Sequence, residues 1–444
     1  MTAELAVTRK ALAAVCADVR EGGPADFSGS AGHGTAGHGT AGHGTAARAA
    51  EGRDESVLVA APTSTEEAAA VMRVAAEHEL AVVARGGGSR LCWGTPPPRC
   101  DLVIDMSRMS GVVEHAAGDL VARVQAGARM GDVAAVLAQA GQEIALDVPA
   151  GATIGGIVAS GLAGPRRLRY GTPRDLLIGI TIVRADGTVA KSGGKVVKNV
   201  AGYDLGKLLA GSAGTLGLIT EATFRLHPLP AARAYVTAEY VSVSVACDAV
   251  AAAANSPLVS SAVELGRPEP GGPIRLGVLL EGSDDGVQAR SMRMADLLGN
   301  GEVSAEPPSW WPGAPQAGPG ETLIRVSFWV SALGHVLDAA EAAALGPGVA
   351  PAVAGSAGAG VLYVTVPAAA DAGPAAEFAG TLRAAVAGER CGVVVLAAPA
   401  AVREKLAGRG GMNGTVPGLA LMRAVKDQFD PGHRMAPGRF PEGA

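Results

Sequence analysis

From Ser56 onward, short apolar runs alternate with longer segments in which apolar side chains recur at helical spacing. The run SVLVA, residues 56–60, predicts a short strand, and residues 63–79 predict a helix opened by Thr65, Glu66 and Glu67. AVVA, residues 81–84, predicts a buried strand that runs into a glycine-rich turn. DLVID (101–105), VARV (121–124) and a helix over 130–140 continue the alternation. Residues 178–190 predict two strands joined by an Asp186-Gly187 turn, and residues 215–225 predict another strand that ends near Arg225 and His227. Upstream, residues 4–20 predict one amphipathic helix, followed by three successive copies of AGHGT within residues 28–46. Such a repeat fits a low-complexity linker, and its His33, His38 and His43 have no fixed geometry in which to hold a metal. The mix of strands and helices predicts an α+β or α/β fold.

Past Pro228 and Pro230 the chain becomes rich in Ala, Gly and Pro. Strands are expected at 235–243, 274–280, 323–330, 360–366 and 392–397, with helices at 286–298 and 373–387. This predicts a second domain over 231–420, after an N-terminal helix and linker (1–50) and a first domain (51–230). The tail, 421–444, holds the end of a helix and then FDPGHRMAPGRF.

Composition narrows the function. Of 444 residues 48% are hydrophobic but only 3% aromatic, so the core must be built from Ala, Val and Leu. The net charge of −5 gives no support for a nucleic-acid partner. Five scattered cysteines without CxxC spacing signal neither zinc nor an iron–sulfur cluster, and fit reduced thiols in a cytoplasmic protein. The longest uncharged stretch, 342–370, is broken by Pro347, Pro351 and Pro367, which argues against a membrane-spanning helix. Charged residues near the N-terminus argue against a signal peptide.

Three blocks carry the chemistry. The first, Arg85-Gly86-Gly87-Gly88-Ser89, directly follows a strand, and backbone without Cβ atoms can converge its N–H groups on a pyrophosphate. It fits neither the Rossmann nor the P-loop pattern, and a plain tight turn is the alternative. The second, Pro149 to Asp175, spaces glycines at 151, 155, 156, 161, 164 and 171 with almost no charge before Arg166. That composition fits a wall pressed against a flat ligand, or a loose loop. The third, Gly193 to Glu221, reads as a loop, a short helix starting near Asp204, a small-residue turn and a strand.

In this order the blocks resemble the FAD-binding domain of the vanillyl-alcohol oxidase, or PCMH-type, family, most closely the glycolate oxidase FAD-binding subunit. The likeness rests on P-x-x-x-T-x-G-G, Y-G-x-x-x-D and G-S-x-G-T-L-G-x-x-T-E, and on GLAGPRR (161–167) and KNVAGYDLGKL (198–208). It spans residues 56–230 and returns in the tail. The resemblance implies an α+β fold: a two-subdomain FAD-binding domain followed by an α+β cap. It implies that Arg85, Gly86, Gly87, Gly88 and Ser89 cradle the FAD phosphates. Pro149, Gly151, Ala152, Thr153, Gly155 and Gly156 would lie along the flavin, with Gly161 and Gly164 continuing the wall and Ile219 at the adenine end. Neither block offers a histidine where the family attaches FAD, which implies non-covalent binding. Two features depart from the pattern: the paired cap histidines of stand-alone 2-hydroxy-acid dehydrogenases are missing, with His335 alone in the cap, and the tail reads Ala436-Pro437-Gly438 where the family has Asn-Pro-Gly.

Arg166 and Lys198 are candidates to clamp a substrate carboxylate or stabilise reduced flavin, against a salt-bridge or subunit-contact role. Tyr203 can donate a hydrogen bond to substrate or flavin, or be a packed core tyrosine. Asp204 reads as a helix N-cap and Asp175 as a turn residue bonding backbone. Trp310-Trp311 fits a cap mouth, a partner interface or a buried loop anchor. Three functions stand open. One is a subunit that oxidises glycolate or another small 2-hydroxy acid through FAD, within a complex that supplies a sister FAD subunit and an iron–sulfur subunit. A second is an accessory electron-relay or structural subunit beside a sister flavoprotein that oxidises the substrate. The third is a flavin-free binding protein, against which the intact glycine blocks argue. Cytoplasmic placement, with membrane association only through the complex, goes with the first two.

Overall fold

A computed structural model describes residues 3–23, 26, 57–194, 203–299, 301–388, 390–439 and 441. The AGHGT repeat and Lys198 lie outside the described residues. The chain divides into two compact units: Met1–Leu162, Thr172–Pro228 and Val416–Ala444 form unit 1, and Ala163–Gly171 with Leu229–Thr415 form unit 2. The expected boundaries ignored one feature. A nine-residue piece of the second glycine block, Ala163–Gly171, belongs to unit 2 rather than to the first domain.

Unit 1 begins with α1 (Ala3–Ala13) and β1 (Val19–Glu21). The single helix expected over 4–20 is therefore cut short. Residues 19–21 pair antiparallel with β2 (Leu58–Ala60), because the edge of that strand presents backbone groups that need partners. Next come α2 (Thr65–Glu77), β3 (Val82–Arg85) and β4 (Leu102–Asp105). Strands β2, β4 and β3 are parallel, in the order β1-β2-β4-β3, and their near-continuous burial explains their unbroken apolar sequence. Helix α2 starts where Ser64 Oγ accepts from Glu67 N–H at 3.1 Å, while Glu67 reaches back to Thr63 N–H at 2.7 Å. Its Ala68, Val71, Met72 and Ala75 form the buried stripe.

A second, antiparallel sheet follows, built from β5 (Val112–Ala116), β6 (Val121–Gln125), β8 (Leu177–Val183), β9 (Val189–Gly193) and β10 (Leu218–Arg225); between β6 and β8 the chain forms α3 (Met130–Ala138), β7 (Gln142–Glu143), α4 (Ile154–Ser160), α5 (Arg167–Tyr170), which belongs to unit 2, and α6 (Pro173–Leu176). Its order is β5-β6-β10-β8-β9; β7 pairs separately with β11 (His227–Pro228). The Asp186-Gly187 turn joins β8 to β9 as the sequence predicts, with Thr188 N–H bonded to Asp186 Oδ1 at 2.9 Å. Asp175 accepts from Thr172 N–H at 2.7 Å, the expected turn role.

Unit 2 holds one antiparallel sheet of eight strands. These are β12 (Ala232–Tyr240), β13 (Ala262–Arg267), β14 (Ile274–Gly282), β15 (Glu302–Ser304), β16 (Thr322–Ser327), β17 (Ala352–Gly355), β18 (Val361–Val366) and β19 (Gly392–Ala397), in the order β15-β12-β14-β13-β17-β18-β16-β19. Strand alternation sends Ile274, Leu276, Val278 and Leu280 of β14, and Leu362, Val364 and Val366 of β18, into one core. Helices α7 (Val243–Asn255), α8 (Asp284–Leu297), α9 (Leu333–Leu345), α10 (Gly373–Ala385) and α11 (Ala400–Leu406) accompany this sheet. All five add buried residues to the core or the core's rim, about half of them alanine, so the scarcity of aromatic residues is met by close helix approach. Helices α7, α9 and α11 and strands β13, β15 and β17 lack the contrast that sequence reading needs. Their Ala-Gly-Pro surroundings blur both periods. The tail returns to unit 1 as α12 (Leu419–Phe429).

Candidate functional site

The parallel strand β3 delivers the first glycine block. A Cβ on Gly86 would lie 2.0 Å from Thr153 Oγ1, and one on Gly87 would lie 2.9 Å from the Gly151 carbonyl. The first and second blocks therefore touch through backbone that side chains would hold apart. Gly88 sits at φ +75°, in the left-handed region that favours glycine. Among the described residues, no backbone carbonyl accepts from the N–H groups of Gly88 or Ser89. Thr153 Oγ1 is buried without a hydrogen-bond partner among those residues. Free N–H groups beside an unsatisfied hydroxyl suit an anionic ligand that lies on the glycines. Arg85 is engaged elsewhere: Nη1 lies 2.8 Å from Asp26 Oδ1 and 3.9 Å from Asp105 Oδ2. Two carboxylates claim the charge expected to meet the phosphates.

The second block is tied down along its length. Ala152 N–H bonds the Pro149 carbonyl at 2.9 Å, and Met130 N–H bonds the Ala152 carbonyl at 2.8 Å. Ile154 and Gly155 donate to the carbonyls of Ala128 and Ala126 at 2.9 and 2.7 Å. A Cβ on Gly155 would stand 2.9 Å from the Ala126 methyl. Gly156, by contrast, is exposed. Helix α4 stops at Gly161, whose φ of +64° closes it. The third block then docks on its end: Gly211 and Ala213 donate to the carbonyls of Val158 and Ala159 at 2.9 and 2.7 Å. Ile219 is buried on β10 opposite Ile182, where the register shifts between Ile219 and Glu221. The three blocks thus meet within unit 1, except for Ala163–Gly171 of the second, which belongs to unit 2.

Three expected site residues fall elsewhere. Gly164 belongs to unit 2, where its carbonyl accepts from Arg167 Nε at 3.1 Å. Arg166 is buried, its Nη1 lying 3.3 Å from Glu281 Oε1, an oxygen that Arg233 Nε also approaches at 2.9 Å. Tyr170 donates to the other oxygen of Glu281 at 3.2 Å, and burial beside that carboxylate raises the phenol's pKa. Arg166 is thus paired inside its own unit, neither at the surface nor unpaired. Tyr203 is 93% exposed, so it is not a packed core tyrosine. Asp204 precedes a short 3-10 turn, Leu205–Leu208, without a side-chain cap bond, and pairs with Lys207 at 3.4 Å.

Sequence reading missed Glu281, Arg233 and Tyr170. The available signal was a glutamate ending the otherwise apolar run of β14, since a charge there requires a partner. Trp310 and Trp311 fit the loop-anchor reading. Cβ atoms added at Gly266 and Gly277 would lie 3.2 Å from Trp310 and 2.8 Å from Trp311, and Trp311 meets Tyr235 edge-on at 5.0 Å. His335 is exposed on α9, and its Nε2 donates to the Ala385 carbonyl at 3.1 Å.

The first two glycine blocks lie within an FAD-binding domain. Residues 57–193 match the family described as "FAD binding domain", and the chain carries a domain of that family. The chain is 35% identical over 194 residues to the glycolate oxidase subunit GlcD of Bacillus subtilis, covering 43% of this chain and 41% of that one. It is 33% identical over 229 residues to the glycolate oxidase subunit GlcE of Escherichia coli, covering 51% of this chain and 61% of that one. The chain therefore spans about two fifths to three fifths of the length of these relatives. The fold is also that of p-cresol methylhydroxylase, with a TM-score of 0.72 at 15% identity over 99% of this chain and 97% of the other.

Proposed function

We propose that the chain is an FAD-dependent oxidoreductase of the 2-hydroxy-acid class that works as a subunit of a glycolate oxidase-like complex and holds FAD non-covalently. The observation that carries this reading is the junction of Gly86 and Gly87 with Thr153 and Gly151, beside a buried hydroxyl that lacks a partner. Bound FAD supplies a hydride acceptor. The N–H groups of Gly88 and Ser89 bind the phosphates, and Thr153 Oγ1 gains a partner in the ligand. Pro149, Gly151, Ala152 and Gly155 hold backbone flat along it, with Gly156 exposed beside them. Arg85 acts one step removed, keeping the end of β3 against Asp26 and Asp105. Similarity to two glycolate oxidase subunits supports glycolate or a close analogue as substrate and further subunits as partners; a sister flavoprotein and an iron–sulfur subunit are the partners that the resemblance implies.

An accessory role beside a sister flavoprotein is the second reading. His335, the only histidine between residues 231 and 420, spends its imidazole on a helix carbonyl, which leaves no cap histidine to take the substrate's hydroxyl proton. One experiment tests both readings. The purified chain should be yellow and should release its flavin on acid precipitation. Anaerobic stopped-flow with glycolate or D-lactate should then bleach the flavin slowly or not at all until partner subunits are added. Rapid bleaching by the isolated chain would make it a complete catalyst, and a colourless chain that takes up no FAD would overturn both readings.

A further inference from the structure

Several other arginines of unit 2 are matched. Arg166 and Arg233 share Glu281, Arg267 meets Glu341 at 3.0 Å, and Arg383 and Arg290 are satisfied by backbone carbonyls wherever they lie in unit 2. Arg325 is the exception. It stands mid-strand on β16, and its cross-strand neighbours are Tyr363 on β18 and Val394 on β19. Neither neighbour is acidic. Among the described residues no carboxylate lies within ion-pair distance of Arg325, and its buried Nε has no hydrogen-bond partner.

A second cation faces the same tyrosine. Arg167 is fixed by the carbonyls of Gly164 and Ala163, and its Nη2 donates to Tyr363 Oη at 3.2 Å. Because the phenol accepts there, its own proton remains available to a ligand. Burial lowers the pKa of Arg325, with Tyr363 opposing that shift and Arg167 adding to it. On the other side of Tyr363 the cross-strand residue is Ala354, with only a methyl, and beyond it lies Gly266. Two half-covered cations and a phenolic donor, beside small side chains, are donors suited to an anion.

Resting on the oxidoreductase reading, we infer that Arg325, Arg167 and Tyr363 bind the carboxylate of a small organic acid, the task that sequence reading gave to Arg166. Arg325 grips it with a planar fork, Tyr363 donates its hydroxyl proton, and Arg167 positions that hydroxyl while adding charge.

The test uses the full-length, FAD-loaded chain and oxalate, an acid with no hydrogen to transfer, with binding followed by calorimetry. Wild type should bind oxalate more tightly than sulfate. Arg325→Met should weaken oxalate binding about 10- to 100-fold, as for loss of a charged hydrogen-bonding partner. Arg325→Lys, which keeps the charge and serves should the methionine variant fail to fold, should still lose several-fold. Tyr363→Phe should do the same, while Arg275→Met on the same sheet, paired with Glu239, should change nothing. Flavin content should stay at the wild-type ratio throughout. Wild-type affinity in both Arg325 variants, no oxalate binding by wild type, or equal affinity for sulfate would overturn the carboxylate site. Oxalate binding through Arg325 without flavin reduction by any 2-hydroxy acid, even with partners, would instead sink the oxidoreductase reading and leave the site standing.

Discussion

Gly86→Ala tests the junction of the two glycine blocks with the smallest change available. The new methyl would stand 2.0 Å from Thr153 Oγ1 and 3.1 Å from Thr153 Cβ. The first distance is far inside contact, and Thr153 is buried, so it cannot simply swing into solvent. Overpacking of this kind costs about 1–3 kcal/mol. For a unit of this size that lowers the melting temperature by about 2–4 °C per kcal/mol. The displaced loop also carries Gly88 and Ser89, so FAD affinity should fall about tenfold, equivalent to about 1.4 kcal/mol. Thr153→Ala removes the hydroxyl and leaves only the 3.1 Å approach, which a small shift can absorb. The double variant should therefore melt above Gly86→Ala alone, with a coupling energy of about 1–2 kcal/mol in a double-mutant cycle. Thermal melts of apo and FAD-loaded protein, with fluorescence titration of FAD, read both effects. If Gly86→Ala melts with the wild type and binds FAD equally well, the two blocks do not touch as described.

Three further outcomes follow from unit 1. Lys426→Met should cost about 3–5 kcal/mol in urea unfolding, because it strands the buried Asp430 and two carbonyls that Lys426 Nζ serves, those of Thr215 at 2.8 Å and Met435 at 3.2 Å. Ala213→Gly should raise stability by about 1 kcal/mol, since the exposed Ala213 sits at φ +52° and pays the left-handed penalty for its Cβ. Asp26 is held near a pKa of about 2, first by Arg20 and then by the Gly23 N–H and Arg85, against an ordinary 3.8. A depressed carboxylate stabilises fully above its unfolded pKa and loses that contribution as pH falls through its folded one. Asp26→Asn should therefore be less stable at neutral pH by on the order of 1–2 kcal/mol, with the gap closing between about pH 4 and pH 2 in acid melts.

Much of unit 1 was legible because each element there combines a period with a punctuation mark. Ser64 and Glu67 announce α2, and Asp186-Gly187 announces its hairpin. The glycine blocks were legible for a different reason: runs of residues without side chains are costly to keep unless something must approach closely. What could not be read was destination. Nothing in GLAGPRR says that the chain leaves unit 1 after Leu162 and returns at Thr172, because both halves of that segment have the same small-residue character. The ion pair of Arg166 was out of reach for the same reason. Its partner Glu281 lies 115 residues away, beyond any local pattern.

Glycine works in two ways in this chain, and the difference bears on where function lies. At Gly86, Gly87 and Gly155 the missing Cβ lets backbone meet a threonine, a carbonyl or an alanine methyl, and the block keeps a buried hydroxyl without a partner beside it, that of Thr153. At Gly266 and Gly277 the missing Cβ is filled by Trp310 and Trp311, and the local demand is met within the fold. Unsatisfied buried polar atoms carry a cost of about 1–3 kcal/mol each. A chain that retains them next to an open approach is stabilised by whatever ligand answers them, whereas a glycine packed by tryptophan gains nothing from a ligand. The same criterion separates Arg166, answered by Glu281, from Arg325, whose Nε has no protein partner among the described residues. It therefore includes the glycine junction in unit 1 and Arg325 in unit 2 among the places where small molecules should raise the melting temperature, and points to the Trp310–Trp311 loop as a place where none should.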